Sequence, residues 1–233
     1  MIRSEPRWMR NAGAWLRNYV PIGRLSYAQE GEDLVLDRIL ESLPNRDSTP
    51  GFFVDIGAHH PTRYSNTYYF YRRGWRGINV DALPGTTGLF KRMRPKDITI
   101  ESGVGAKPGL MTYFMFNEPA LNTFSERDAQ KKNNPPYHIV KTLQIPVVKL
   151  STILDEHVPA NMPIDFMTID VEGFDHEIVV SSDWERYRPR VLLLELLDTG
   201  IEQLAGHPTA QILYRYGYRA VAKTFNTFFF VAV

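Results

Sequence analysis

The sequence predicts an α/β protein built on a doubly wound, mostly parallel sheet. Three observations carry this expectation. Short apolar runs such as FFVDI, GINVD, IDFMTID and VLLLELL recur along the chain with helix-like segments between them, and continuous apolar strands alternating with helices mean a parallel sheet covered on both faces. Several of these runs finish on or beside an acid: Asp55, Asp81, Asp170 and Glu195. The last two strand-like segments, 218–223 and 227–231, are too closely spaced for a crossover helix and should pair antiparallel. The expectation is one sheet of about seven strands, the last antiparallel, and not two separate sheets.

Taken in order, Ser26 with Gln29 three residues on reads as a capping box. The helix it opens should bury Val35, Leu36, Ile39, Leu40 and Leu43. The polar loop PNRDSTPG leads to the first strand, 52–56. Pro61 suits the first position of a helix, and Gly74 should end that tyrosine-rich stretch. A second strand, 77–82, ends on an acid. A short helix at 85–93 and a third strand at 98–102 follow. Residues 110–116 and 143–150 read as additional strands around an exposed loop containing KKNNPPY. A short helix at 151–157 precedes the fourth core strand, IDFMTID. A helix around 175–180, the fifth strand at 191–197, a helix near 209–216 and the terminal hairpin complete the chain.

The 233 residues suit one domain with a well-buried core. Hydrophobic content of 43% and charge of 23% are ordinary for a globular protein. A net charge of +1 points to neither nucleic acid nor an acidic partner. Cysteine is absent, which excludes disulfides, thiolate metal sites and a cysteine nucleophile and fits a reducing, cytoplasmic compartment. No run approaches the ~20 apolar residues that cross a bilayer, and arginines interrupt the N-terminus too often for a signal peptide.

Charge is uneven, however. Residues 1–24 hold five arginines and one glutamate, and residues 165–198 hold nine acids and three arginines. A helix over residues 3–20 would place Trp8, Ala12, Trp15, Leu16 and Tyr19 on one face and Arg3, Arg7, Arg10 and Arg17 on the other. Such a helix docks on its own domain or on a second copy in a homo-oligomer, the favoured reading, or lies peripherally against the inner face of a membrane. The organisation is thus an extension, 1–24, and a main domain, 25–233.

In doubly wound sheets ligands bind beyond the carboxyl ends of the strands. This gathers the Asp55-Ile56-Gly57 turn, Asp81, Ser102, Asp170 and Glu195 around one crevice. A dinucleotide fold calls for G-x-G-x-x-G, so that backbone can approach a pyrophosphate. Here Gly57 is followed by Ala58, His59, His60 and Pro61. A P-loop motif is absent too. Asp81 is placed to accept from both hydroxyls of a ribose and would repel a 2′-phosphate. S-adenosylmethionine fits best, ahead of NAD and of the plain reading in which Asp55 and Gly57 only cap a strand.

The motifs VDIGAHHP, SNT at 65–67, GWRGINVDA, KLSTILDEH and IDVEGFDHEI, with SYAQEGEDLVL before the first strand, resemble the FkbM-type family of S-adenosylmethionine-dependent methyltransferases over roughly residues 26–200. The turn departs from the family's usual Asn and Gly at His59 and Pro61. The resemblance implies a class I methyltransferase (Rossmann-like) fold and O-methylation of hydroxyls on saccharides or polyketide-like metabolites. It implies that Asp55 and Gly57, with Ala58, shape the methionine end of the cofactor pocket. Asp81, with Ala82, would take the ribose, and Ser102 and Val104 would lie near the adenine. Tyr27, Gln29 and Glu30 would fold over from the N-terminal side, with helix capping as an equal alternative.

Moving a methyl group to an alcohol calls for a base, which adds typically ~10²–10⁴ in rate. The candidates rank as Asp170, then Glu172 and Glu195, then His176 and His59. Asp170 and Glu172, two apart, share one side of an extended chain. Asp170, Glu172 and Glu195 also form a candidate site for Mg²⁺, which prefers oxygen ligands. A rival enzyme reading takes Asp170-Val171-Glu172 as the acid-x-acid element of a metal-dependent glycosyltransferase. A non-catalytic cofactor-binding module is the third reading. The aromatics Tyr64, Tyr68, Tyr69, Tyr71 and Trp75 either stack on a sugar acceptor or pack the core.

Overall fold

Residues 52–56 form β1 in the interior of the main sheet, where every side chain is buried. The computed structural model describes residues 23–44 and 50–233, so the expectation for residues 3–20 lies outside the described residues. Around β1 stand β2 (Arg76–Asp81), β3 (Ile98–Glu101), β7 (Phe166–Ile169), β8 (Val191–Glu195), β9 (Tyr218–Lys223) and β10 (Thr227–Ala232). Their order across the sheet is β3-β2-β1-β7-β8-β10-β9. Neighbours pair in parallel from β3 to β8, whereas β10 runs antiparallel to both β8 and β9. This is the class I methyltransferase arrangement expected above.

Alternation along the strands supplies both core layers, because successive side chains point to opposite faces. Val54, Ile56, Met167, Ile169, Leu192, Leu194, Phe228 and Phe230 face one layer. Phe53, Phe166, Val191, Leu193, Phe229 and Val231 face the other, with Phe70 and Trp75. Leu36 and Leu40 of α1 (Glu32–Ser42) complete that second layer and are fully buried. Truncating either leucine to Ala removes packing worth about 2–5 kcal/mol. Among the described residues no helix is long and apolar enough to cross a membrane.

Several sequence expectations shift. The first helix starts at Glu32 and not at Ser26, because Gly31 adopts a left-handed φ of 86° at the boundary. Ser26 instead donates its hydroxyl proton to the Asp33 carboxylate at 2.6 Å. After Pro61 the chain stays irregular until the single turn α2 (Tyr68–Tyr71). His59 and Tyr64 both take positive φ, and Ser65 N–H is held by the Tyr27 carbonyl at 2.9 Å, so no helix can run through this segment. Gly74, at φ 96°, does end the stretch.

The expectation of one sheet also needs correction. β4 (Gly103–Val104), β5 (Gly109–Phe116) and β6 (Ile139–Val148) form a second, three-stranded sheet in the order β4-β6-β5. Between β5 and β6 lies a helix the sequence reading omitted, Glu126–Lys132, capped by Ser125, whose hydroxyl accepts from Asp128 N–H. Ser125 with Asp128 three residues on was the available signal. The remaining helices, α3 (Thr86–Met93), α5 (Leu150–His157), α6 (Asp175–Ser181) and α7 (Pro208–Arg215), lie within two residues of their expected bounds; α4 is Glu126–Lys132.

Candidate functional site

The carboxyl ends of β1, β2, β7 and β8 open into a cleft. A second hollow adjoins it, and Gly57, Asp81, Tyr113, Asn122 and Val171 line both. Gly57 makes the junction possible. Its φ of 85° is one that side chains rarely adopt, and a Cβ there would stand 1.7 Å from the Asp170 carbonyl oxygen. Gly57 N–H and Ala58 N–H both donate to the Val80 carbonyl, at 2.9 and 3.0 Å. The turn after β1 is thereby locked between the ends of β2 and β7.

Asp81, at the end of β2, is 8% exposed. Its two oxygens accept from His59 N–H and Leu83 N–H, each at 2.7 Å. Burial raises its pKa, and these two bonds oppose the rise. The carboxylate is therefore fixed in orientation while each oxygen keeps a lone pair for a ligand. Beyond it the smaller hollow is apolar, walled by Ile56, Val80, Ala82, Val104, Phe124 and Phe174. Ser102 borders it too, but its hydroxyl is directed to the carbonyls of Gly103 and Pro146, both at 3.0 Å. An apolar slot ending at an oriented, buried carboxylate has the chemistry to hold a nucleoside.

The larger hollow is acidic. Glu30, Glu32, Asp81, Asp170, Glu172 and Glu195 line it. Asp170, Glu172 and Glu195 each offer a carboxylate oxygen within 4.8 Å of the others. Asp170 follows β7 and Glu195 ends β8, so the pairing of these strands brings the two carboxyl groups side by side. Burial, then the Glu195 and Glu172 charges, holds the Asp170 carboxyl well above the usual range. Burial, followed by Glu172 and Asp175, pushes Glu195 up to about 8. Glu172, at φ 56°, is held from the inserted segment, where Thr123 donates to its carbonyl at 2.9 Å and Lys132 pairs with its carboxylate. The buried Asp175 accepts from Val171 N–H and Gly173 N–H, both at 3.2 Å, which shapes the loop after β7.

Other expected residues sit elsewhere. Asp55 is buried and accepts from the Thr67 hydroxyl at 2.8 Å; it lines neither hollow. Ala58 is buried behind the turn and also lines neither. Gln29 and Glu30 border the acidic cleft. Tyr27 faces away, its ring 4.8 Å from that of Tyr68. His59 borders the cleft, and its Nε2 is buried with no hydrogen-bond partner among the described residues. Burial, then the Arg63 charge, lowers its pKa. His176 is exposed and bonded to the Thr209 hydroxyl, in a separate groove behind Glu195. Of the five aromatics, only Tyr64 borders the cleft; Trp75 and Tyr69 are buried.

Sequence reasoning missed Tyr113, Asn122 and Asn66 as cleft residues. Asn66 donates to the Thr168 hydroxyl at 3.1 Å, and its only signal was its place in the SNT motif. Tyr113 and Asn122 come from the second sheet and its connection; the strands were expected, but not the pairing that carries these residues to the cleft.

The chain matches the model of the family described as methyltransferase FkbM domain over residues 55–220. No curated protein sequence matches it. Among solved structures it is similar to an O-methyltransferase from Bacillus cereus in complex with S-adenosylhomocysteine, with a TM-score of 0.45, 10% identity, and 100% of this chain and 93% of that chain covered. It is similar to a TehB-like methyltransferase from Corynebacterium glutamicum, with a TM-score of 0.44, 11% identity, and coverage of 98% and 100%. A third similar structure is the O-methyltransferase TomG from Streptomyces achromogenes, involved in tomaymycin synthesis, with a TM-score of 0.43, 12% identity, and coverage of 100% and 93%.

Proposed function

The chain belongs to the FkbM methyltransferase family, its cofactor is S-adenosylmethionine, and from that premise we propose that it methylates a hydroxyl of a saccharide or of a glycosylated or polyketide-like metabolite. Family membership sets aside the glycosyltransferase and the non-catalytic module. The single observation that carries the hydroxyl reading is the cluster of the Asp170, Glu172 and Glu195 carboxyl groups, lining a cleft continuous with the apolar slot.

The residues fit the cofactor. The slot walled by Ala82, Val104 and Phe124 suits adenine, with Ser102 at its border. Asp81, oriented by two N–H groups, suits the ribose hydroxyls. The Gly57 turn, with Gln29 and Glu30 across the cleft, suits the methionine end. Asp55 and Ala58 act behind the turn, Asp55 by holding Thr67. When bound, S-adenosylmethionine supplies an electrophilic methyl group on a sulfonium.

The chain's own part is to position an oxygen and take its proton. Holding the reacting groups in line supplies much of the rate. Asp170 or Glu195, when ionised, would take the proton that the acceptor hydroxyl loses as it is methylated. Tyr64, exposed at the cleft wall with Arg63 4.4 Å from its ring centre, offers one aromatic face to a sugar. Neutral His59 beside it has a free ring nitrogen for an acceptor hydroxyl.

The test is incubation with methyl-labelled cofactor and extracts of the source organism, followed by identification of the product. Label on a hydroxyl of a small glycosylated compound is the expected result. Label confined to protein or nucleic acid overturns this acceptor class.

A further inference from the structure

We propose that Asp170, Glu172 and Glu195 bind one divalent, oxygen-seeking cation, Mg²⁺ or Mn²⁺, and that this cation holds two adjacent hydroxyls of the acceptor. The inference rests on the hydroxyl-acceptor reading and narrows it to a vicinal diol.

Geometry comes first. The three side chains each present one oxygen within 4.8 Å of the others. Oxygens on opposite sides of a Mg²⁺ ion stand about 4.2 Å apart at its usual bond length, so the trio already spans a coordination sphere with modest side-chain adjustment. Every donor is a carboxylate, the set that suits Mg²⁺ and Mn²⁺ rather than zinc or copper. Three protein oxygens leave about three positions of an octahedron open, enough for a diol and a water.

An independent observation points to a ligand. Glu195 Oε2 is buried without a hydrogen-bond partner among the described residues, on a residue only 9% exposed that lines the cleft. A buried carboxylate oxygen with nothing to bind is costly, and a cation at the centre of the trio would satisfy it. Charge agrees. Lys132 pairs with Glu172, so once a metal has displaced the protons of its ligands, three carboxylates and one ammonium stand two charges short of neutral. A divalent ion closes that gap. Among the described residues no lysine or arginine lines the cleft to do it instead.

The ligands also stand on rigid supports. Glu195 ends β8 and pairs in register with Thr227 of β10. Asp170 N–H is bonded to the Ile56 carbonyl at 3.0 Å. Glu172 is clamped by Thr123 and Lys132. A cation here would orient the diol and acidify one of its hydroxyls.

Titrating the full chain with Mn²⁺, and following free Mn²⁺ by electron paramagnetic resonance, tests the site. About one bound Mn²⁺ per chain is expected, with affinity lowered at least tenfold in Glu195→Gln and in Glu172→Gln, while thermal melts confirm that both variants fold. No Mn²⁺ uptake at millimolar concentration, or unchanged affinity in both variants, overturns the site. Calorimetry with S-adenosylhomocysteine on the same samples separates the two readings. Cofactor binding without Mn²⁺ uptake overturns the cation and leaves the methyltransferase reading standing. Site-dependent Mn²⁺ uptake with methyl label found only on isolated hydroxyls upholds the cation and overturns the diol.

Discussion

The Asp170 carbonyl oxygen lies 1.7 Å from the point where a Cβ on Gly57 would stand. The turn after β1 and the turn after β7 are thus packed backbone against backbone, and the cleft opens where they meet. Gly57→Ala must displace one of them and also hold a side chain at φ 85°. Strain of that kind costs about 1–3 kcal/mol by itself. The expected outcome is a lower melting temperature together with loss of S-adenosylhomocysteine binding by calorimetry. A variant with wild-type affinity would show that the turn does not border the cofactor.

Asp81→Ala removes an acceptor fixed by two backbone N–H groups. Hydrogen bonds to a charged group are worth roughly 1.5–3 kcal/mol each. Loss of one such bond to a ribose lowers S-adenosylhomocysteine affinity at least tenfold. Unchanged affinity in the calorimeter removes Asp81 from the proposed site.

The sheet and most of the crevice were legible in the sequence for a physical reason. Buried parallel strands are apolar along their whole length, and the residues that end them, Gly57, Asp81, Asp170 and Glu195, stand out by contrast. Tyr113 and Asn122 did not stand out. They reach the cleft through pairing between β5 and β6, whose partners lie tens of residues apart, and register between distant strands leaves no local mark. Asp55 misled for the opposite reason. It occupies an interior position of β1, and alternation turns it to the far side, toward Thr67.

That position gives a pH dependence. Burial pushes the Asp55 carboxyl up to about 6, with the Thr67 hydrogen bond and Arg94 opposing it and Asp81 and Asp97 adding to it. The folded state therefore holds this proton more tightly than the unfolded chain. Its contribution to stability is complete below about pH 4 and fades as pH rises through about 6. The change is roughly 3 kcal/mol at most. Asp55→Asn, which still accepts from Thr67, should flatten the loss. Thermal melts from pH 5 to pH 8 should show the variant gaining on wild type as pH rises; a constant difference would contradict the assignment.

Arg94 has no solvent exposure. Its guanidinium pairs with Asp97, Nε at 2.8 Å and Nη2 at 2.7 Å, and Nη1 donates to the Thr67 hydroxyl at 3.0 Å. Arg94→Met leaves the buried Asp97 uncompensated, a loss of about 3–5 kcal/mol. For a domain of this size that is a fall in melting temperature of about 10 °C. Arg94→Lys should recover little, because an ammonium cannot reach Asp97 and Thr67 together. Full recovery in that variant would mean that charge alone matters here.

Asp170→Asn separates chemistry from architecture. The backbone bond from residue 170 to the Ile56 carbonyl is unaffected, and Asn has nearly the same shape and volume as Asp, so the loop should keep its course. What disappears is an ionisable oxygen in the acidic cleft. With a hydroxyl acceptor in hand, kcat should fall by roughly 10²–10⁴, the usual contribution of a general base. S-adenosylhomocysteine affinity should stay within a few-fold, because the cofactor slot is built from other residues. The same substitution weakens the proposed cation site, so kcat is measured at increasing Mn²⁺. Recovery at high Mn²⁺ assigns Asp170 to holding the ion, and a persistent deficit assigns it to the proton. A variant with unchanged kcat would mean that neither role belongs to Asp170, and Glu195 would then be the carboxylate to vary.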